Sequence, residues 1–324
     1  MDEGFRFSDI VVVGSGSLTL SVATHLASVD RSVTLIEIPE TTRFPMRARA
    51  ERMGIDVETV SKRDVPFFLD QRAREAKSAL CADTPNMRKP LLVLSVENMY
   101  VFPRPIAEHP LIEILNYHNS LLPRHRGMHA EAWAIFENDE RAGFTWHLVD
   151  ASLDTGSIVY QEAFNVTQKE TSLELLGKCS KQALKAFKQF FAHYERGTIR
   201  PICQSVLSEV PCKTHNRHER PNDGILDVTW NLKKIASFLR SYDYGKLRHL
   251  GTPSLILEGE RYTWNSYLLE LADSPNAEVH EQAETVAEAQ PCSWQLDFDL
   301  GRLVFTDERM GRITLNGLQA AQVA

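Results

Sequence analysis

The first two hundred residues alternate short apolar runs with amphipathic stretches. Asp9-Ile10-Val11-Val12-Val13 is β-branched and apolar on both parities, as expected of a strand covered on both faces. Gly14-Ser15-Gly16-Ser17 follows, then a helical stretch to about Ser28, and residues 32–37 predict a second strand. The chain thus opens with a β-α-β unit. Helical pieces are expected between Phe44 and Ala79, with residues 47–53 closed by Gly54. Further strands are predicted over residues 91–95, 111–118, 144–149 and 157–164, and a helix over 127–138. Thr171-Ser172-Leu173-Glu174 fits a capping box that opens a long amphipathic helix ending before Gly197. This pattern predicts an α/β domain with a Rossmann-like, mostly parallel sheet over residues 1–205.

Past Pro201 the pattern changes. Residues 206–245 read as a linker followed by a helix over 231–241. Residues 246–324 read as a smaller β-rich, OB-like domain, with strands over 254–257, 293–298, 302–306 and 312–315. Trp294 and Phe298 lie on one parity of their strand and are expected in its core. No internal repeat or low-complexity tract is visible.

Composition narrows the class. With 43% hydrophobic and 24% charged residues, the chain has the balance of an ordinary globular protein. Its net charge of −7 advertises no strongly basic face for nucleic acid. The five cysteines (Cys81, Cys179, Cys203, Cys212, Cys292) are scattered without CxxC spacing, which points to reduced, mostly buried thiols in a cytoplasmic protein. The apolar run 10–13 is too short for a signal-peptide core or a membrane span. His215, His218 and Glu219 lack the spacing of a structural zinc site, so no metal is expected. Gly14 and Gly16 lack the further glycine of a dinucleotide fingerprint, because that position is Thr19; a tight strand-to-helix turn is the better reading.

The candidate chemistry lies in Leu115-Asn116-Tyr117-His118-Asn119-Ser120-Leu121-Leu122-Pro123-Arg124-His125-Arg126-Gly127. Asn116 and His118 are two apart at a strand end, so their side chains share a face. Thirty-six residues after His118 comes Asp154, in the loop Val149-Asp150-Ala151-Ser152-Leu153-Asp154-Thr155-Gly156. Acyl transfer to an amine needs a donor for the oxyanion, a proton shuttle and a group that orients the shuttle. The Asn116 amide, the His118 imidazole and the Asp154 carboxylate can fill those roles. No serine or cysteine nucleophile is needed when the amine attacks directly.

Asn-x-His with Ser-Leu-Leu-Pro-x-x-Arg-Gly, then Asp-x-x-x-Asp-Thr-Gly, resembles the formyltransferases that use 10-formyltetrahydrofolate, among them methionyl-tRNA formyltransferase and the sugar N-formyltransferases. The resemblance is specific over residues 90–165 and weaker over 1–200. It implies that Asn116, His118 and Asp154 are catalytic. It also implies that Asn98, Met99, Tyr100, Val101, Phe102 and Pro103, together with Val149 and Asp150, cradle the pterin largely through backbone groups. The co-substrate would be 10-formyltetrahydrofolate, without a metal. Family members often carry Asp-Gly-x-Ile-Asp-Trp near position 223; here Trp230 stands three residues after Asp227 and Arg240 ends the next helix. Arg126 and Arg240 are candidates for acceptor contacts. The stretch Met128-His129-Ala130-Glu131-Ala132-Trp133-Ala134 resembles formyltransferases of natural-product pathways.

Residues 213–324 hold 12 Lys plus Arg against 16 Asp plus Glu, and residues 266–290 hold six acidic residues and no basic one. A tRNA acceptor calls for the opposite balance. The expected acceptor is therefore a small amine: a nucleotide-linked amino sugar, a hydroxylated ornithine-type precursor, or an amino acid held on a carrier protein. The C-terminal domain would shape the acceptor pocket or mediate a homodimer contact. Neither nucleic acid nor membrane is expected as a partner. The competing readings are methionyl-tRNA formyltransferase, a 10-formyltetrahydrofolate hydrolase, for whose usual extra N-terminal domain this chain has no room, and a non-catalytic folate-binding protein.

Overall fold

The computed structural model describes residues 6–42, 44–79, 89–271 and 291–321. Its contacts divide into two compact units. The first comprises Met1–Ala130, Arg141–Phe164 and Leu176–His215; the second comprises Glu131–Glu140, Asn165–Leu175 and Asn216–Ala324. The second unit thus draws in two short segments that precede the tail in sequence, whereas the sequence pattern suggested breaks only near 205 and 245.

In chain order the elements run β1 (Asp9–Val13), α1 (Ser17–Ser28), β2 (Thr34–Glu37), α2 (Arg47–Glu51), β3 (Asp56–Thr59), α3 (Val65–Ser78), β4 (Leu91–Ser95) and α4 (Arg104–Ala107). They continue with β5 (Ile112–His118), β6 (Arg126–Gly127), α5 (Ala130–Phe136), β7 (Arg141–Leu148), β8 (Ile158–Asn165) and α6 (Ser172–Glu195). The main sheet has the order β3-β2-β1-β4-β5-β7-β8. From β3 to β5 its neighbours pair in parallel, and β7 runs antiparallel to β5. This is the mostly parallel, Rossmann-like sheet that the sequence predicts. β4 is buried throughout and β1 from Ile10 onward, which explains their apolar runs. β3 escapes the hydrophobic pattern because its sequence, Asp-Val-Glu-Thr, is largely exposed on an edge.

β7 splits by parity. Phe144 and Trp146 face an aromatic layer in which Trp146 lies 5.1 Å from Phe187 and 6.0 Å from Phe190 of α6. Thr145 and His147 share the opposite, polar parity. On the other face of β1 and β4, Val11, Val13, Leu91 and Val93 pack with Val65 and Leu69 of α3 and with Tyr100 and Phe102.

The first unit closes with β9 (Thr214–His215), which pairs in parallel with β6. The second unit contains β10 (Ile225–Leu226), α7 (Leu232–Ser241), β11 (Ser254–Leu257), β12 (Glu260–Thr263) and β13 (Ser266–Leu271). After residue 290 come β14 (Ser293–Asp297), β15 (Arg302–Asp307), β16 (Gly311–Asn316) and β17 (Gln319–Ala320). They form two four-stranded sheets, β10-β11-β12-β17 and β13-β16-β15-β14. Leu303, Phe305, Ile313 and Leu315 are fully buried. Trp294 and Phe298 are not the core residues their alternation suggested: they are 43% and 68% exposed. β14 is an edge strand, and Phe298 lies in the turn beyond it. Burial of the thiols also differs from expectation. None of the described cysteines is in a disulfide; Cys179 and Cys292 are buried, but Cys203 and Cys212 are exposed, while Cys81 lies outside the described residues. Among the described residues no helix is long and apolar enough to cross a membrane.

Candidate functional site

The sheet order reverses beside β1, so the crevice outside β1 and β4 is where an open α/β sheet would hold a phosphate. Here it holds a carboxylate. Leu18 N–H donates to Glu97 Oε2 at 2.9 Å and Thr19 N–H at 3.3 Å, so Glu97 caps the start of α1. The glycine turn fits around it: a Cβ on Gly16 would lie 2.1 Å from Glu97 Oε2, and one on Gly14 would lie 1.7 Å from the Val96 carbonyl. The glycines serve close packing, and the anion position is filled from within the chain. Burial pushes the Glu97 carboxyl up, against the N–H groups of Thr19 and Leu18 and the Thr19 hydroxyl.

Two strands away the polar residues converge. Ser95 pairs with Asn116, and Asn116 pairs across to His147. Cross-strand partners share a face, so the Asn116 amide meets the His147 ring, Nδ2 to Nε2, at 3.0 Å. Asp154, with φ 54°, enters the left-handed region and reaches both imidazoles. Its Oδ2 is 3.7 Å from His118 Nδ1, and its Oδ1 is 3.5 Å from His147 Nε2. Gly127 N–H donates to Oδ2 at 2.8 Å. Burial alone would raise the Asp154 carboxyl. Attraction to His118, together with the neighbouring His147 ring and the Gly127 N–H, outweighs it and holds the group well below the usual carboxylate range.

His118 Nε2 lies 2.8 Å from the His125 carbonyl, which can only accept, so Nε2 carries the proton. Nδ1 is then the nitrogen that gains or loses a proton, and it faces Asp154. The imidazole is oriented by a backbone carbonyl, while the carboxylate supplies the negative charge.

The rest of the motif braces this pocket. Arg126 Nη2 donates to Gln204 Oε1 at 2.7 Å, and Gln204 Nε2 donates to the carbonyls of Asp154 and Gly156 at 2.9 and 2.8 Å. Arg126 therefore acts on the Asp154 loop through Gln204. A Cβ on Gly156 would lie 1.8 Å from the Leu148 carbonyl, which explains the glycine of Asp-Thr-Gly. That same carbonyl lies 2.8 Å from His147 Nδ1. Asp150 accepts from Ser152 N–H and the Thr155 hydroxyl, at 3.1 and 2.6 Å, and so ties its own loop.

The stretch expected to cradle the pterin leaves the end of β4. Asn98 folds back on itself: Nδ2 donates to Ser95 Oγ and to the Tyr100 carbonyl, and Oδ1 accepts from Tyr100 N–H. Tyr100 and Phe102 turn inward and meet edge to face at 5.2 Å, while Val101 and Pro103 are exposed and Met99 is half-buried. Val149 is half-buried, with its N–H donating to the Ile114 carbonyl.

Arg240 departs from expectation. It is only 5% exposed, and its guanidinium donates to the carbonyls of Glu170 at 3.0 Å and Thr167 at 3.4 Å. It anchors backbone within the second unit instead of standing open to an acceptor. His215 is buried against His125, with Nδ1 of His125 3.1 Å from its Nε2. Sequence reasoning missed His147 and Gln204. The parity of Thr145 and His147 in an otherwise apolar strand was a signal for the first; nothing local marks the second.

A family model described as formyl transferase matches residues 9–190, more than half of the chain. The chain belongs to the formyl transferase family. A methionyl-tRNA formyltransferase from Desulfotalea psychrophila is 26% identical over 67% of this chain and 65% of its own length. A GDP-perosamine N-formyltransferase from Brucella melitensis is 27% identical over 39% of this chain and 47% of its own. These matches span less than two thirds of those relatives. The solved N-formyltransferase from Helicobacter canadensis, in complex with folinic acid and dTDP-3-aminofucose, shares the fold with a TM-score of 0.66 and 15% identity. It covers 95% of this chain and 98% of its own.

Proposed function

We propose that this chain moves a formyl group from 10-formyltetrahydrofolate to the amine of a small biosynthetic intermediate by direct attack. The observation that carries the reading is the convergence of Asn116, His118 and Asp154 at the end of β5. The amine nitrogen attacks the formyl carbon, and the carbonyl electron pair moves to oxygen. An Asn116 N–H stabilises that oxyanion. The new ammonium gives a proton to His118 Nδ1, and His118 returns it to the folate nitrogen as that carbon–nitrogen bond breaks. The products are a formamide and tetrahydrofolate. Asp154, held ionised, stabilises the intervening imidazolium. Residues 98–103, with Val149 and Asp150, would hold the pterin.

A nucleotide-linked amino sugar is the acceptor class favoured. The likeness to a structure solved with dTDP-3-aminofucose supports it, and so does the acidic balance of residues 213–324. The test incubates the protein and 10-formyltetrahydrofolate with nucleotide-linked amino sugars, an N-hydroxyornithine, methionyl-tRNA, or water alone. Tetrahydrofolate release and the mass of the formamide are followed. Formylation of an amino sugar is expected. Transfer to methionyl-tRNA, or release with water alone, would overturn the acceptor. His118→Ala should lower kcat by about 10²–10⁴-fold while folate affinity holds; full turnover in that variant would sink the mechanism.

A further inference from the structure

We infer that His147 is a positioning residue that fixes which end of the Asn116 amide faces the reacting formyl group. The consequence rests on the proposed formyl transfer; the geometry does not.

An asparagine amide is nearly symmetric in shape but not in chemistry. Rotated by half a turn, it exchanges an NH2 donor for a carbonyl acceptor. Only the donor end can stabilise an oxyanion, so a site that relies on asparagine must decide the rotation. His147 supplies the decision. Its Nδ1 lies 2.8 Å from the Leu148 carbonyl, and a carbonyl cannot donate, so Nδ1 bears the hydrogen. In the neutral ring Nε2 is then bare and accepts. Asn116 Nδ2 sits 3.0 Å from it. One amide proton is committed to His147, and the second remains for a ligand. The rotated amide would set its oxygen against the Nε2 lone pair, beside the Asp154 carboxylate that lies 3.5 Å from the same nitrogen.

The groups facing the ring are few. Asn116 and His118 approach from β5, the His118 ring edge-on at 6.4 Å; Asp154 approaches from its loop; and the Leu148 carbonyl closes the far side. His147 is 1% exposed and stands directly opposite Asn116 in the ladder. The Leu148 carbonyl is itself seated on Gly156. Gly156, Leu148, His147 and Asn116 thus form one chain of contacts that ends at the oxyanion donor. A protonated His147 would reverse the lock, because Nε2–H would donate to Asp154 and could no longer accept.

Two measurements test this. In the wild-type protein labelled with ¹⁵N-histidine, the His147 ring, assigned by its loss in His147→Gln, should show protonated Nδ1 and bare Nε2 at neutral pH. The opposite tautomer would overturn the inference, whatever the acceptor proves to be. In turnover, with the amine identified above, His147→Leu removes the acceptor and should lower kcat by about 10²-fold, as for the loss of an oxyanion donor. KM for 10-formyltetrahydrofolate should hold. His147→Gln, whose amide oxygen can accept from Asn116 while its NH2 faces Asp154, should restore most of the loss. Wild-type kcat in His147→Leu, or equal losses in both folded variants, would refute the lock. Absence of any formyl transfer by the wild type would instead refute the functional reading and leave the tautomer result standing.

Discussion

Glu97 and Asp154 are alike in most respects that local chemistry can name. Both are carboxylates set into loops at the same edge of one sheet. Both occupy the left-handed region, at φ 48° and 54°, and both accept backbone N–H groups. Their protonation is nonetheless biased in opposite directions: burial raises Glu97, and Asp154 is held low. The difference lies in what else faces the carboxylate. Glu97 has the amides and a hydroxyl at a helix start, which satisfy it without a full opposing charge. Asp154 has two imidazoles within 4 Å. Amide dipoles can fill an anion position, whereas nearby imidazoles couple a carboxylate to a second titrating group, as the proposed proton relay requires.

Removing the charge from Asp154 tests the relay most severely. Asp154→Asn should keep the Gly127 contact but lower kcat by about 10³–10⁴-fold, as expected when the partner of a catalytic imidazole is neutralised. A loss below tenfold would make Asp154 a structural carboxylate like Glu97. Next in size is Gly156→Ala, which forces a Cβ into the Leu148 carbonyl. It should destabilise the fold by about 1–3 kcal/mol, read by urea denaturation. Activity should fall further than stability explains, because that carbonyl orients His147.

The smallest effect is expected at Glu97. Its raised carboxyl favours the folded state at low pH, and that contribution is lost as pH rises through the folded value. Asp154 has the opposite sign: its contribution is present above the ordinary carboxylate range and is lost as pH falls. Glu97→Gln should therefore turn over normally, and its Tm relative to wild type should rise between pH 5 and pH 8. A relative Tm that falls over that interval would mean the helix start holds Glu97 as a stabilising anion.

The chemistry of the Asp154 site was more legible in sequence than that of its counterpart. Asn116 and His118 announce themselves because two polar residues of one parity end an apolar strand. Asp154 announces itself through the loop that carries it. Glu97 gave no such signal, since a single acid after a strand is common. His147 was hidden because the dominant signal in β7 is its apolar parity, which serves the aromatic layer with α6. Gln204 was hidden because its partners lie 48 and 50 residues away in the chain. Arg240 and Trp294 were misplaced for a related reason. Neither inward rotation of a helix-end arginine nor the edge position of a strand is written in local periodicity.

By itself, then, the sequence determined the α/β order of elements, the mostly parallel sheet and the trio at its edge. These follow from side-chain parity, turn chemistry and motif spacing, all of which act over a few residues. Only the tertiary structure decided that Glu97 fills the phosphate position, that His118 is aimed by a backbone carbonyl, and that His147 sits across from Asn116. Those outcomes depend on which strands become neighbours. Pairing β5 with β7 brings two imidazoles to one carboxylate, whereas the order around β1 and β4 leaves the other carboxylate with a helix start alone.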